Sequence, residues 1–246
     1  NNAVAASGGN GGGLCVEEEG TVRMDSTIFK YHNVSEYGGS IYLSSGANVT
    51  ILNNEISESA AVSGAGIYLT GVDTYLALSG SSILSNTASS SGGGVYVSGE
   101  AVLQAQDNLY SDNTALGSLT LDGGGGGALY IKESGVVTST NDRYSNNQAI
   151  QGYGGAVYAR SAGNMSSTNN FYISNNATNG NGGAIYVSSR AAFSSTNDTV
   201  KDNKVAASGG NGGGLYVEEE GAVRMDSTIF KYHNVSEYGG SIFLSS

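Results

Sequence analysis

A short motif recurs nine times along this chain: glycines, an aliphatic residue, an aromatic one and a second aliphatic one. Its copies are GGGLCV at 11–16, GGSIYL at 38–43, GAGIYL at 64–69, GGGVYV at 92–97, GGALYI at 126–131, GGAVYA at 154–159, GGAIYV at 182–187, GGGLYV at 212–217 and GGSIFL at 239–244. The fifth residue of the motif falls at 15, 42, 68, 96, 130, 158, 186, 216 and 243, so the unit is about 28 residues long. Self-similarity at a fixed period of this size means an array in which each unit buries its apolar face against the next. Within a unit, two or three short runs of alternating apolar residues are separated by Gly, Ser and Asn clusters, and no run keeps helical spacing. Such a unit has the size of one coil of an all-β, single-stranded parallel β-helix. The expectation is a β-solenoid of about nine coils, continuous over residues 1–246, with coils stacked at about 4.8 Å.

A longer repeat overlies the short one. Residues 203–246 begin a second copy of residues 2–45, identical at 40 of 44 positions, with an offset of 201 residues or seven short units. Adjacent units are much less alike, which suggests recent tandem duplication of an old seven-coil block. The chain opens with neither an initiator Met nor a signal peptide, and reads as a window on a longer array. Seven coils give an axial repeat of roughly 33 Å.

Alternation along a strand assigns the columns. Ile185 and Val187 point one way and Ala184 and Tyr186 the other. The Ile185 column is Leu, Ile or Val in every unit and the Val187 column aliphatic in every unit, so both are expected in the core. The glycine pair suits a corner with positive φ and close approach of neighbouring coils. Tyr42, Tyr68, Tyr96, Tyr130, Tyr158, Tyr186 and Tyr216 then form a ladder on the outer surface, continued by Phe243 and interrupted by Cys15. Such a ladder stacks from rung to rung or offers an aromatic stripe to a neighbouring fibre or a sugar. A polar column follows from YSDNTA, YSNNQA, YISNNA and VKDNKV, which make Asn113, Asn147, Asn175 and Asn203 equivalent, with Asn86 and Asn2 in the same register and His32 substituting once. Stacked amides can bond along the axis at a turn. The STN triplets at 139–141, 167–169 and 195–197 are expected to serve the next corner similarly.

These residues resemble a known family. GGAI at 182–185, with variants in the other units, and the aromatic-x-x-Asn element look like the GGAI and FxxN repeats of polymorphic outer membrane proteins and autotransporter-type adhesin passenger domains. The resemblance covers all nine units, although Tyr or an aliphatic residue stands where that family has Phe and no membrane-barrel segment is present. It implies a right-handed helix, displayed on a cell surface or extracellular, that acts in adhesion or as a stalk.

Composition narrows the partners. The formal charge is −11 with ten scattered basic residues, against nucleic acid or an anionic membrane, and no apolar run is long enough to insert in a membrane as a helix. Thirty-nine glycines without a proline argue for regular backbone pairing throughout, and one cysteine excludes an internal disulfide framework. Parallel β-helices also carry polysaccharide-active enzymes, whose sites gather carboxylates on one face. Asp142 and Asp198 share a register two coils apart, with Asn170 between them and Arg160 and Arg190 as companions, but no unit has an elaborated cleft. The glutamate runs at 17–19 and 218–220 read as solvated patches, His32 and His233 as copies in the Asn column, and Thr140, Thr168 and Thr196 as too short a row for an ice-binding surface. No cofactor, metal site or catalytic residue is expected. Six sequons, at Asn33, Asn48, Asn164, Asn176, Asn197 and Asn234, are candidates for N-glycosylation, with Asn176 and Asn197 nearest to the expected corners.

The expected function is mechanical: a non-enzymatic segment of a long extracellular fibre or cell-surface filament, whose partner is itself by end-to-end continuation or stacking and by lateral packing. The alternative is an adhesin passenger that binds a surface or a glycan. The 34-residue unit, with ALGSLTLDGGGGG at 115–127, is the one insertion and reads as an exposed loop.

Overall fold

A computed structural model describes residues 9–117, 124–206 and 208–245. The chain winds through four parallel sheets, three of them met in every turn and the fourth in the six central turns. The first, here the tyrosine sheet, has nine strands from Leu14–Val16 to Ile242–Leu244. It is followed by a long-strand sheet of eight five-residue strands, Thr21–Asp25 to Ala222–Asp226, and a third sheet of eight strands, Ile28–Lys30 to Ile229–Lys231. A fourth has six strands, Ala60–Ser63 to Lys204–Val205. Each strand pairs with its equivalent one coil away: Val157 opposes Ile185, and Ile185 opposes Leu215.

Nine tyrosine-sheet strands bound about eight turns, one fewer than the nine motifs suggest, because each turn is completed only when the next motif is reached. Four strands per turn replace the two or three expected. The additional one is the fourth sheet, four of whose six strands (TA, QA, NA, KV) carry one inward side chain each and so leave no apolar alternation to read. Backbone pairing rather than burial defines it.

The core fills the lumen. Ile41, Leu43, Ile67, Leu69, Ile185 and Val187 are fully enclosed, as the alternation requires, and the inward residues of the long-strand sheet complete the cluster. The glycine corner precedes every tyrosine-sheet strand. Gly154 has φ +63° and a Cβ there would sit 2.0 Å from the Val157 carbonyl oxygen, while a Cβ on Gly155 would meet the Gly183 carbonyl of the next coil at 2.2 Å. One glycine makes the turn and the other lets two coils touch. The long unit is absorbed between strands: Thr114 and Ala115 still oppose Gln148 and Ala149, and residues 118–123 of the 115–127 stretch lie outside the described residues.

Candidate functional site

Two polar columns run inside the solenoid, each beside a corner residue with positive φ. At the corner between the third and fourth sheets, Ser85, Asp112, Asn146, Ser174 and Asp202 take φ of 53–58° and turn outward, and the next residue turns inward. Those inward residues are Asn86, Asn113, Asn147, Asn175 and Asn203, all fully buried. Asn147 shows the rule. Its Oδ1 accepts from the Asn113 backbone N–H and Nδ2, both at 3.1 Å. Its Nδ2 donates to Asn175 Oδ1 and to the Tyr110 carbonyl, both at 3.0 Å. Every polar atom of the amide is therefore used, as burial demands. Ser59 and His233 extend the column: Ser59 N donates to Asn86 Oδ1, Asn203 N donates to His233 Nδ1, and His32 N donates to Ser59 Oγ. Asn2 lies outside the described residues.

The STN triplets supply the other corner differently from the expectation. Their own asparagines, Asn141, Asn169 and Asn197, are the outward positive-φ residues, exposed and with φ of 54–56°. The internal column is built by the residue after each such corner, Asn53, Gly80 and Asp107 included: Asn54, Ser81, Asn108, Asp142, Asn170 and Asp198. A doublet signal was present in the sequence, since NN, DN and ND at 53–54, 107–108, 141–142, 169–170 and 197–198 pair one outward with one inward residue.

This placement corrects the candidate carboxylate site. Asp142 and Asp198 are 0% and 1% exposed and point into the lumen. Asp142 Oδ1 accepts from Asn108 N and Nδ2 at 2.7 and 3.0 Å, and its Oδ2 accepts from Ser139 Oγ at 2.7 Å. Asp198 accepts from Asn170 N at 2.7 Å and from Ser195 Oγ at 2.5 Å. Burial pushes the Asp142 carboxyl up to about 7 against these hydrogen bonds, and raises Asp198 for the same reason. Arg160 lies beside the tyrosine column, its guanidinium 6.0 Å from the centre of the Tyr158 ring. Three stacked tyrosines, Tyr110, Tyr144 and Tyr172, lie fully buried beside the two carboxyls, with Ser139 and Ser167 bonded to the last two hydroxyls. Carboxylates sealed in this way cannot reach a polysaccharide.

The external tyrosine column is real in register but is not an open stripe. Tyr42, Tyr68, Tyr96, Tyr130, Tyr158, Tyr186 and Tyr216 oppose one another in sequence, and Phe243 follows. Ring centroids stand 4.5–5.6 Å apart. Tyr158 breaks the parallel stack by lying edge-on to both neighbours, and Tyr153 inserts against Tyr186. The rings from Tyr96 to Tyr216 form a second buried cluster, Tyr186 being 1% exposed, and only Tyr42 and Tyr68 are half-open. The rings do stand outside the lumen, as expected, but most are covered rather than exposed, because stacked rings cover each other's faces. Tyr186 also donates to the Glu218 carboxylate.

Of the sequon asparagines, Asn33, Asn48, Asn164, Asn197 and Asn234 are exposed, and Asn197 stands on a corner. Asn176 is not at a corner: it sits half-buried in the strand Asn176–Ala177, its Nδ2 donating to Thr178 Oγ1. Among the described residues no group of three or more His, Cys, Asp or Glu is placed to hold a metal ion, and no helix is long and apolar enough to cross a membrane.

Comparison with protein families completes the assignment. The right handed beta helix region matches residues 1–171. The chain belongs to this family. A second family, the Chlamydia polymorphic membrane protein repeat, matches residues 170–188 of the right-handed β-helix, the stretch that contains GGAIYV. No curated protein and no solved structure matches the chain. The right-handed helix thus joins a lumen of amide ladders to an aromatic spine, with the chemistry of both spent on neighbouring coils.

Proposed function

We propose that this β-helix is a mechanical segment of a surface-displayed or extracellular fibre, non-enzymatic, built from tandem seven-coil blocks. The observation that carries the reading is that each coil is completed by the next: backbone, Asn amides and tyrosine rings all find their partners one rung away. Near-identity of 203–246 with 2–45 supports a continuing array, because a coil ending one block has the sequence that begins it. The match at 170–188 to a polymorphic membrane protein repeat favours display at the cell surface. Electron microscopy of native material tests the proposal. Fibres with a layer line near 4.8 Å and an axial repeat of roughly 33 Å are expected from coil stacking; discrete particles without that repeat overturn it.

A second reading, an adhesin passenger domain contacting a surface or glycan, draws on the same family match. Its contact surface is not the tyrosine column, whose ring faces are taken up by stacking.

A further inference from the structure

Oxidative coupling of two tyrosines needs one ring that an oxidant can reach and a second phenol lying against it. Four of the sixteen tyrosines, Tyr31, Tyr37, Tyr232 and Tyr238, are exposed. Three of them lack the partner. The rings of Tyr31 and Tyr232 are faced by lysines, Lys30 at 4.9 Å and Lys201 at 6.0 Å from the ring centre. The ring beside Tyr238 is Phe243, at 6.4 Å, which carries no hydroxyl to oxidise. Of the four, only Tyr37 stands against a tyrosine: its ring stacks on Tyr68 of the next coil, with centroids 4.7 Å apart and planes inclined by 28°. Tyr37 owes this to its place before the corner glycine Gly38 (φ +62°), outside the strands of the tyrosine sheet, where a single backbone bridge ties it to Ser63. Tyr153 is its equivalent before Gly154 and stacks on Tyr186 at 4.5 Å, but there Tyr153 is half-buried and Tyr186 is sealed. Beside Tyr37 and the half-buried Tyr68 a cleft of about 250 Å³ opens, lined also by Ser90 and Lys132.

We propose that Tyr37 and Tyr68 are a modification site, at which oxidation joins two successive coils as dityrosine. The oxidant is hydrogen peroxide acting through a haem peroxidase. Each phenol gives up one electron and its hydroxyl proton, and the two phenoxyl radicals join through ring carbons ortho to oxygen. The hydrogen on each of those carbons then moves to its own oxygen, which restores both phenols. Peroxide takes up the two electrons and two protons and becomes two waters. Stacking holds rings face to face whereas the new bond joins them edge to edge, so one ring must swing. Tyr37 can do so, being exposed at a corner beside the cleft. Tyr42 and Tyr96 also flank Tyr68, at 5.6 and 4.5 Å, but both are fixed in strands directly opposite it. A bond between coils restricts the unfolded chain as a disulfide does, and a chain with one cysteine cannot make a disulfide within itself. In the proposed array the pair recurs once per seven-coil block, a staple at every 33 Å or so of shaft.

The test is independent of the fibre reading, because it uses the isolated 246-residue chain at low micromolar concentration, where encounters between chains are few. Haem peroxidase with hydrogen peroxide should give, in the monomer fraction, the blue fluorescence of a biphenol and a linked peptide two hydrogen atoms lighter than its parts. Cleavage after glutamate separates residues 37–55 from 59–100, and fragmentation of the linked product places the bond. Tyr37→Phe keeps the ring and removes the hydroxyl, and should abolish the monomer signal. Tyr31→Phe should leave it unchanged, and thermal melts of both variants should match the parent. Coupling between chains through Tyr31 or Tyr232 with none between Tyr37 and Tyr68, a bond placed at Tyr42 or Tyr96, or an unaltered signal in Tyr37→Phe would overturn the proposal. So would native material in which peptides 37–55 and 59–100 are recovered only unlinked.

Discussion

The buried asparagines are tightly constrained residues. Asn147 satisfies two donors of Asn113, one acceptor of Asn175 and the Tyr110 carbonyl at once. Asn147→Ala leaves several of these groups buried and unpaired, and a loss of about 3 kcal/mol or more is expected, read from the denaturant midpoint. Asp142 gives a prediction with a defined sign. Its carboxyl titrates near 3.8 when unfolded and about 7 when folded, so the native state holds an extra proton between those values. Stability is fully present below about pH 4 and declines as pH rises to about 7, by an amount on the order of a few kcal/mol. Asp142→Asn removes that slope. Asparagine already fills the column at Asn108 and Asn170, and the register puts the Ala105 carbonyl where Leu78 receives Asn108 Nδ2. The variant is therefore expected to melt above the parent at about pH 8 and to converge with it near pH 4.

At the scale of the coil, the second corner glycine separates contact from conformation. Gly155 and Gly240 are equivalent in the motif, but a Cβ on Gly155 strikes the next coil and one on Gly240 meets nothing within 4 Å. In the isolated 246-residue chain, Gly155→Ala should lower stability by several kcal/mol through backbone displacement, while Gly240→Ala should stay within about 0.5 kcal/mol; paired thermal melts distinguish them. Coil length, the two core columns, the tyrosine register and the Asn113–Asn203 column were legible in the sequence because each repeats a side-chain type at a fixed position. The fourth sheet was not, since its strands are specified by backbone bonds and a single small inward residue such as Ala115 or Ala149. Asp142 and Asp198 were misread for a related reason. Alternation names the faces of a strand, but a positive-φ corner such as Asn141 resets the phase, and the residue after it enters the lumen.

Across the molecule, the two copies of one sequence form a built-in comparison. Leu43 is fully buried and Phe29 nearly so beneath the coil that follows, whereas Leu244 is 71% exposed and Phe230 half-open. Stability in such an array is a sum of unit and nearest-neighbour terms, so in the isolated 246-residue chain hydrogen exchange should be faster in the 208–245 coil than in 9–45. Equal protection would mean that cooperativity extends over the whole array. The internal columns add a property that backbone pairing lacks. Backbone bonds run both ways along the axis, as with Asn53 N to Ser79 O and Glu55 N to Thr27 O, and their dipoles largely cancel. The amide column does not alternate: Asn86, Asn113, Asn147 and Asn175 each donate both a backbone N–H and Nδ2 toward the C-terminal neighbour. Like a row of aligned magnets, the column has a donor pole and an acceptor pole. In the proposed fibre, blocks would meet with opposite poles together, which would make it vectorial, with two chemically unlike tips.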